Sequence, residues 1–239
     1  VGMRAAVDDV HHRYRQGHVA TVREVLPQRL LARHGDRMRG YESDFRQIAA
    51  QVMEGWQTGR QMRTLESMQL ITLRAILQTV FGARGDDLSE LEVRMPQFVE
   101  AGQRIVLLRF AHHDLGPKSP WGAFLKQKEI ADRILFSMIA EARQDPAIAE
   151  RSDILAMLVQ ATDEDGNPMT DQEIRDQLLT MLVAGHETTA GTLAWAIERL
   201  TRNPRVLEKV TQSVRAGETE YLGAVFDETL RVRCSTSSS

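Results

Sequence analysis

The feature that most constrains the fold is an uninterrupted segment from Thr170 to Thr201, TDQEIRDQLLTMLVAGHETTAGTLAWAIERLT. Thr170 followed three residues later by Glu173 is a capping box, a pattern that begins many helices, and no proline occurs before Pro204. At about 1.5 Å per residue, the segment predicts one helix of about 45 Å. Residues 178–184 are apolar on all sides, which predicts burial inside protein, because a bilayer requires about 20 such residues.

The middle of this predicted helix departs from the rules of helix formation. Gly185 and Gly191 are each disfavoured by about 1 kcal/mol relative to alanine, and Glu187 and Thr188 put polar groups into an apolar rod. Such local exceptions concentrate at functional sites. Two interpretations stay open: a crossing point of small residues, or a smooth face around Ala184 that admits a flat ligand. The Thr188 hydroxyl is also spaced to donate to the Ala184 carbonyl.

The rest of the chain has helical periodicity and no convincing alternation of the kind that predicts strands, so the predicted fold class is mainly α. Further helices are predicted over residues 38–56, 64–81, 88–110 (one or two helices, with Pro96 inside), 123–144, 153–160 and 205–214. In the helix over 123–144, the side predicted to face the core carries Leu125, Ile130, Ile134, Met138 and Ala142.

Composition and charge exclude several classes of function. The net charge of -3 and the lack of a basic stripe with interleaved aromatic residues predict that nucleic acid is not a partner. No apolar run is long enough for a membrane span, and the first residues lack the apolar core of a signal peptide. The single cysteine, Cys234, excludes an internal disulfide framework. We therefore expect a soluble, cytoplasmic protein.

Two histidine-containing runs invite a metal-site interpretation, and neither is favoured. His112, His113 and Asp114 are adjacent, so their side chains diverge on any regular element, and no other histidine lies at a ligand spacing. His186-Glu187 resembles half of a zinc hydrolase motif, but that motif requires a second histidine where this chain has Ala190.

Several short motifs, taken together and in order, carry a resemblance to a known family. The segment DILAMLVQATDEDGNPMTDQEIRDQLLTMLVAGHETTAGTLAWAIERLTRNPRVLEKV, followed by EYLGAVFDETLRVR, resembles the cytochrome P-450 family of haem-thiolate monooxygenases. Upstream, HGDRMRGYE and ITLRAILQTVFG are similar to the same family, so the resemblance covers roughly His34 to Arg233. It implies a partial cytochrome P-450 fold, with a helical core around one long central helix and the β regions largely missing.

The resemblance also implies roles for individual residues. Ala184 and Gly185 would lie over the porphyrin, and Thr188 with its acidic neighbour Glu187 would help to deliver protons to dioxygen at the haem. Glu228 and Arg231 would form the family's buried structural ion pair. The implied reaction inserts one oxygen atom from dioxygen into an apolar small-molecule substrate, with electrons from a ferredoxin-type or flavoprotein donor.

The chain departs from the family pattern at both ends. The family's iron-ligating cysteine lies in a glycine- and arginine-containing loop well beyond the Glu-Arg helix, whereas Cys234 directly follows that helix, so no metal ligand is predicted. The segment VREVLPQRLLAR lacks the residues that usually pair with the haem propionates, for which Arg23 or Arg29 would have to serve. We expect an inactive fragment that does not retain haem by itself, and a full-length parent that binds it.

The predicted organisation is a poorly defined segment over residues 1–33, the helical part of a cytochrome P-450 domain over 34–233 and a disordered tail over 234–239. The alternative left open is a non-catalytic helical module that binds apolar ligands without any dependence on iron.

Overall fold

The computed structural model describes residues 34–82, 85–107, 116, 119–163 and 166–234. Within these ranges the chain forms eight α-helices: α1 (His34–Glu54), α2 (Thr64–Phe81), α3 (Gly85–Leu107), α4 (Pro120–Gln144), α5 (Ile154–Gln160), α6 (Asp171–Arg202), α7 (Pro204–Arg215) and α8 (Glu220–Cys234). A short 3-10 helix, Ile148–Glu150, precedes α5. No strand occurs in these ranges, where one isolated bridge joins Thr162 to Pro168, and the mainly α prediction is confirmed.

Some expectations concern residues outside the described ranges. They are the segment over 1–33 with Arg23 and Arg29, the run His112-His113-Asp114, and the tail beyond Cys234. Across Pro96 the expectation of one or two helices resolves to one, because α3 continues through that proline.

The long helix α6 begins where the sequence predicts. The Thr170 side chain accepts a hydrogen bond from the Glu173 backbone N–H at 3.3 Å, and the Glu173 carboxylate accepts one from the Thr170 backbone N–H at 2.8 Å. This capping box satisfies two backbone donors that the first turn of a helix leaves unpaired. Arg199 and Arg202 in the last turn place positive charge near the negative end of the helix dipole.

The core lies between α6 and the helices packed on one side of it. Helix α2 runs along α6 and forms the most extensive helix pair in the described part of the chain. Leu77 and Phe81 of α2 and Leu178 and Leu182 of α6 are at most 1% exposed. Burial of each such side chain contributes about 1.5–3 kcal/mol. Helices α3, α4 and α5 complete the same core.

The predicted burial of residues 178–184 on all sides is wrong. Leu178 and Leu182 are fully buried, but Val183 is 45% exposed and Ala184 is also exposed. Apolar character on every side of a short segment indicates burial only if neighbours surround it. Here the packed helices cover one side of α6.

The predicted core side of α4 is displaced by about one residue. The buried positions are Ala131, Leu135, Ile139 and Ala142, whereas Leu125 is 40% exposed. Ile130, Ile134 and Met138 lie half-buried beside the observed stripe. A helical repeat of 3.6 residues locates an apolar face well, but its centre depends on where the neighbouring helices lie. No helix in the described ranges is long and apolar enough to cross a membrane.

Candidate functional site

The side of α6 opposite the core forms an exposed surface, which we call the open face. It consists of Thr180, Val183, Ala184, Thr188 and Trp195, all of which are exposed. At 100° per residue these positions share one side of the helix, and the buried Leu178, Leu182 and Ala196 share the other. The open face therefore combines two large apolar side chains with a small residue and two hydroxyls.

Thr188 makes the backbone contact that the sequence predicts. Its Oγ1 donates to the Ala184 carbonyl oxygen at 2.6 Å, and the helix continues through this position. A hydroxyl has one proton and two lone pairs, so Thr188 Oγ1 can still accept hydrogen bonds from the open face. Ala184 adds only a methyl group beside it, so a flat group could approach the helix closely here.

Gly185 lies against α2. A Cβ added at Gly185 would meet Ile76 Cδ1 at 3.2 Å, tighter than ordinary van der Waals contact. A Cβ at Gly191 would meet nothing within 4 Å. The two interpretations of the helix centre concern different residues: Gly185 lies at a helix crossing, whereas a surface for a flat ligand around Ala184 and Thr188 stays a prediction.

Next to the crossing point, α2 and α6 share four polar side chains, which we call the inner polar cluster: Gln69, Thr72, His186 and Glu187. Gln69 Nε2 donates to the Glu187 carboxylate, 3.2 Å from Oε1 and 3.3 Å from Oε2. His186 is 3% exposed, and its Nδ1 lies 3.1 Å from Thr72 Oγ1. His186 Nε2 lies 3.5 Å from Glu187 Oε1.

Thr72 connects His186 to the backbone of α2. Its Oγ1 donates to the Met68 carbonyl at 2.9 Å and lies 3.1 Å from His186 Nδ1, and the direction of this second hydrogen bond depends on the tautomer of the imidazole. Burial lowers the pKa of His186, and the nearby Glu187 charge opposes that effect.

The sequence prediction brought Glu187 and Thr188 together because they are neighbours in the chain. In the structure Thr188 lies on the open face, whereas the Glu187 carboxylate reaches sideways to α2 and its side chain is 33% exposed. Gln69 and Thr72 were missed. The available signal was their spacing of three residues, which places both on one side of the helix.

Glu228 and Arg231 form the predicted ion pair on α8. Arg231 Nε donates to Glu228 Oε2 at 2.7 Å, and Arg231 Nη2 donates to Oε1 at 2.6 Å. The guanidinium lowers the pKa of Glu228, and the carboxylate raises the pKa of Arg231. The expected burial is wrong here, because the side chains are 58% and 71% exposed.

No group of three or more His, Cys, Asp or Glu side chains that could hold a metal occurs in the described part of the chain. His186 does not face an open site, because it is buried against Thr72. Cys234 ends α8, and its side chain lies outside the described residues.

The open face fits one side of the haem that the resemblance implies. Ala184 and Val183 offer apolar contact to a macrocycle, and Thr188 Oγ1 offers a hydrogen-bonding oxygen within that apolar surface. None of these three side chains is of a kind that ligates haem iron in proteins such as globins or haem-thiolate enzymes. The fit therefore concerns the side of haem that receives oxygen and substrate.

Comparison with known proteins gives a consistent family. The family pattern described as Cytochrome P-450 matches residues 14–238, a wider range than the motifs alone suggested. Two Mycobacterium tuberculosis proteins, named putative cytochrome P-450 138 and 135B1, are 40% and 42% identical over 208 and 207 residues. These alignments cover 86% and 84% of this chain and 47% and 44% of the relatives. The chain thus spans about half the length of the curated relatives that it matches.

Solved structures agree on the fold. The crystal structure of the cytochrome P-450DA heme domain superposes with a TM-score of 0.72 at 24% identity, covering 84% of this chain and 47% of that one. Retinoic acid bound cyanobacterial CYP120A1 superposes with a TM-score of 0.67 at 22% identity, covering 80% and 44%. At these identities the likeness establishes the fold alone.

Proposed function

Because the chain belongs to the cytochrome P-450 family, we propose that it forms the central-helix part of a haem-dependent monooxygenase, in which the open face of α6 lies over the haem. The observation that carries this proposal is the exposed Thr188 hydroxyl, bonded to the Ala184 carbonyl beside the exposed apolar side chain of Val183. We assign residues 34–233 to the helical part of the domain.

Haem, when bound, supplies the iron at which dioxygen is reduced and one oxygen atom is passed to an organic substrate. The chain's own residues have simpler tasks. The Ala184 side chain is short, so a small molecule can lie between the helix and the macrocycle. Val183 and Trp195 help to exclude water from the same surface once it is covered.

Thr188 and Glu187 are proposed to handle protons. Thr188 Oγ1 accepts a hydrogen bond from a water molecule on the open face while it donates its own hydrogen bond to the Ala184 carbonyl. The Glu187 carboxylate, one third exposed, can exchange protons with solvent and pass them towards that hydroxyl through water.

Thr188→Val in the full-length protein tests this assignment. General acid–base groups contribute about 10²- to 10⁴-fold to rate, so we expect product formed per electron consumed to fall by about tenfold or more, with hydrogen peroxide released instead. Thr180→Val is the matched control, because Thr180 Oγ1 also lies exposed on the open face and donates to a backbone carbonyl, that of Asp176, at 2.7 Å. Equal losses in both variants would contradict the role of Thr188.

We propose that this chain alone binds haem weakly and is inactive, because the open face contacts only one side of the group. The test is the absorption spectrum of the purified chain mixed with haem, reduced and exposed to carbon monoxide. We expect no thiolate-type shifted band. Such a band would show that Cys234 ligates iron and would overturn this proposal.

The proposed substrate is an apolar small molecule, because the surface available to it includes the side chains of Ala184, Val183 and Trp195. The proposed electron donor is a ferredoxin-type protein or a flavoprotein, and a cytoplasmic location stays a prediction from the sequence. The alternative of a non-catalytic module that binds apolar ligands finds no support in the family assignment.

A further inference from the structure

The contact between Gln69 and Glu187 connects two helices through residues 118 positions apart in the chain. One amide nitrogen of Gln69 lies 3.2 Å and 3.3 Å from the two carboxylate oxygens, so it holds both at once. A glutamate that is one third exposed has water available as a competing partner. The protein contact from α2 therefore selects one position of a side chain that could otherwise turn to solvent.

On its inner side, the Glu187 carboxylate lies next to the imidazole of His186. His186 packs beside the carboxylate, with Nε2 at 3.5 Å from Glu187 Oε1, and Thr72 Oγ1 fixes the far side of the imidazole at 3.1 Å from Nδ1. Gln69 and Thr72 are uncharged, so the charge next to His186 in this cluster is that of Glu187. The pKa of His186 thus reports how close the Glu187 carboxylate lies.

We propose that Gln69 is a positioning residue for the reaction: its side-chain amide holds the Glu187 carboxylate beside His186, at the margin of the open face. This inference rests on the proposed function, in which Glu187 exchanges protons with solvent. The position of the carboxylate matters for proton transfer, since a displacement of a reacting group by about 1 Å can lower the rate about a hundredfold. Neither Gln69 nor the Thr72-bound imidazole needs to touch substrate.

The test needs neither haem nor activity. We would follow the imidazole of His186 in the 239-residue chain by nitrogen NMR as a function of pH, and assign its signals by their loss in His186→Gln. The variants are Gln69→Met, which keeps the shape and removes the amide, Glu187→Gln, which removes the charge, and the double variant. Gln78→Met is the matched control on α2, nine residues or about 13 Å further along the helix. Gln69→Ala removes the same amide if the methionine variant fails to fold.

We expect Glu187→Gln to lower the pKa of His186, because the carboxylate favours the imidazolium. Gln69→Met should produce roughly half of that decrease or more, because the released carboxylate turns to solvent. In the double variant Gln69→Met should add little, which is the sign of a shared interaction. An unchanged or raised pKa in Gln69→Met, strict additivity, or an equal decrease in Gln78→Met would overturn the proposal.

A second readout uses the full-length, haem-loaded protein. We expect Gln69→Met to lower kcat about tenfold with KM within about twofold, and Gln78→Met to change neither. If the NMR result fails while Thr188→Val still lowers coupling, Gln69 is not a positioning residue and the proposed function stands. If the NMR result holds and Thr188→Val has no effect, the cluster exists and the proposed function is wrong.

Discussion

The two sides of helix α6 differ in what covers them. On the inner side, Leu178 and Leu182 are fully buried and His186 finds a hydrogen-bonding partner on another helix. On the open face, Val183 remains 45% exposed, and the Thr188 hydroxyl donates to the Ala184 carbonyl of its own helix. One stretch of nine residues, 180–188, thus contains both a helix crossing and part of the exposed open face.

The small residues of this helix therefore differ in what surrounds them. Gly185 permits close approach of Ile76 from α2, whereas Ala184 presents only a methyl group on the open face. Polar groups are divided in the same way. The Glu187 carboxylate is held by α2, and the Thr188 hydroxyl bonds to the Ala184 carbonyl of α6. Substitutions on the two sides should therefore have different effects on stability.

The largest contrast is expected between two neighbouring aliphatic residues. Leu182→Ala should lower the free energy of unfolding by about 2–5 kcal/mol, because it leaves a cavity in the core. Val183→Ala should lower it by less than about 1 kcal/mol, because that side chain is half exposed. Urea unfolding of the chain, followed by circular dichroism, measures both. Similar losses would mean that α6 is buried on both sides.

The next contrast tests the inner polar cluster. Thr72→Val should cost about 1–3 kcal/mol, because it removes the hydroxyl that bonds to the buried Nδ1 of His186. Thr79→Val is the control: it removes from the same helix a hydroxyl that donates to the Ala75 carbonyl at 2.7 Å, within that helix. Denaturant unfolding gives both values, and equal costs would show that the bond to His186 adds no stability.

Alanine substitutions at Gly185 and Gly191 should change stability differently, because Gly185 lies at the crossing of α2 and α6 and Gly191 does not. Gly191→Ala should stabilise the chain by about 0.5–1 kcal/mol, because the new methyl group meets no atom of the described residues within 4 Å and alanine favours helix. Gly185→Ala should gain less or lose stability, because its methyl group meets Ile76 Cδ1 at 3.2 Å. Thermal unfolding of the two variants side by side measures the difference, and a larger gain at Gly185 would contradict the crossing.

The smallest effect expected is a dependence of stability on pH. Burial makes the folded-state pKa of His186 lower than its ordinary value of 6.5, so the unfolded chain binds a proton first as the pH falls. The contribution of neutral His186 is therefore fully present above about pH 6.5 and declines in acid. The lowered pKa of Glu228 acts at more acidic pH, below its ordinary 4.5. Unfolding measured from pH 7 to pH 5 should show a flatter curve for His186→Gln than for the natural chain, and parallel curves would contradict it.

The sequence correctly predicted side-chain contacts between residues of the same helix. The Thr170–Glu173 capping box, the Thr188–Ala184 contact and the Glu228–Arg231 pair all involve residues three or four apart, and all are present. Their spacing alone brings the side chains together.

Exposure and contacts between helices were harder to predict. The burial expected for Val183 and Leu125 and for the Glu228–Arg231 pair is not observed, because it depends on which helices lie alongside. The hydrogen bond from Gln69 to Glu187 joins residues 118 positions apart, and no periodicity in either helix encodes it. The inner polar cluster could therefore be recognised only once α2 and α6 were placed side by side.

The central claim is that the open face lies over the haem, with Ala184 close to it. The most direct test is the absorption spectrum of the full-length, haem-loaded protein carrying Ala184→His, compared with Thr180→His one turn earlier on the same face. An imidazole at position 184 should reach the open side of the iron and give the spectrum of a nitrogen-ligated, low-spin haem. The Thr180→His spectrum should match that of the natural protein. A nitrogen-ligated spectrum in Thr180→His alone, or in neither variant, would contradict the placement of the open face over the haem.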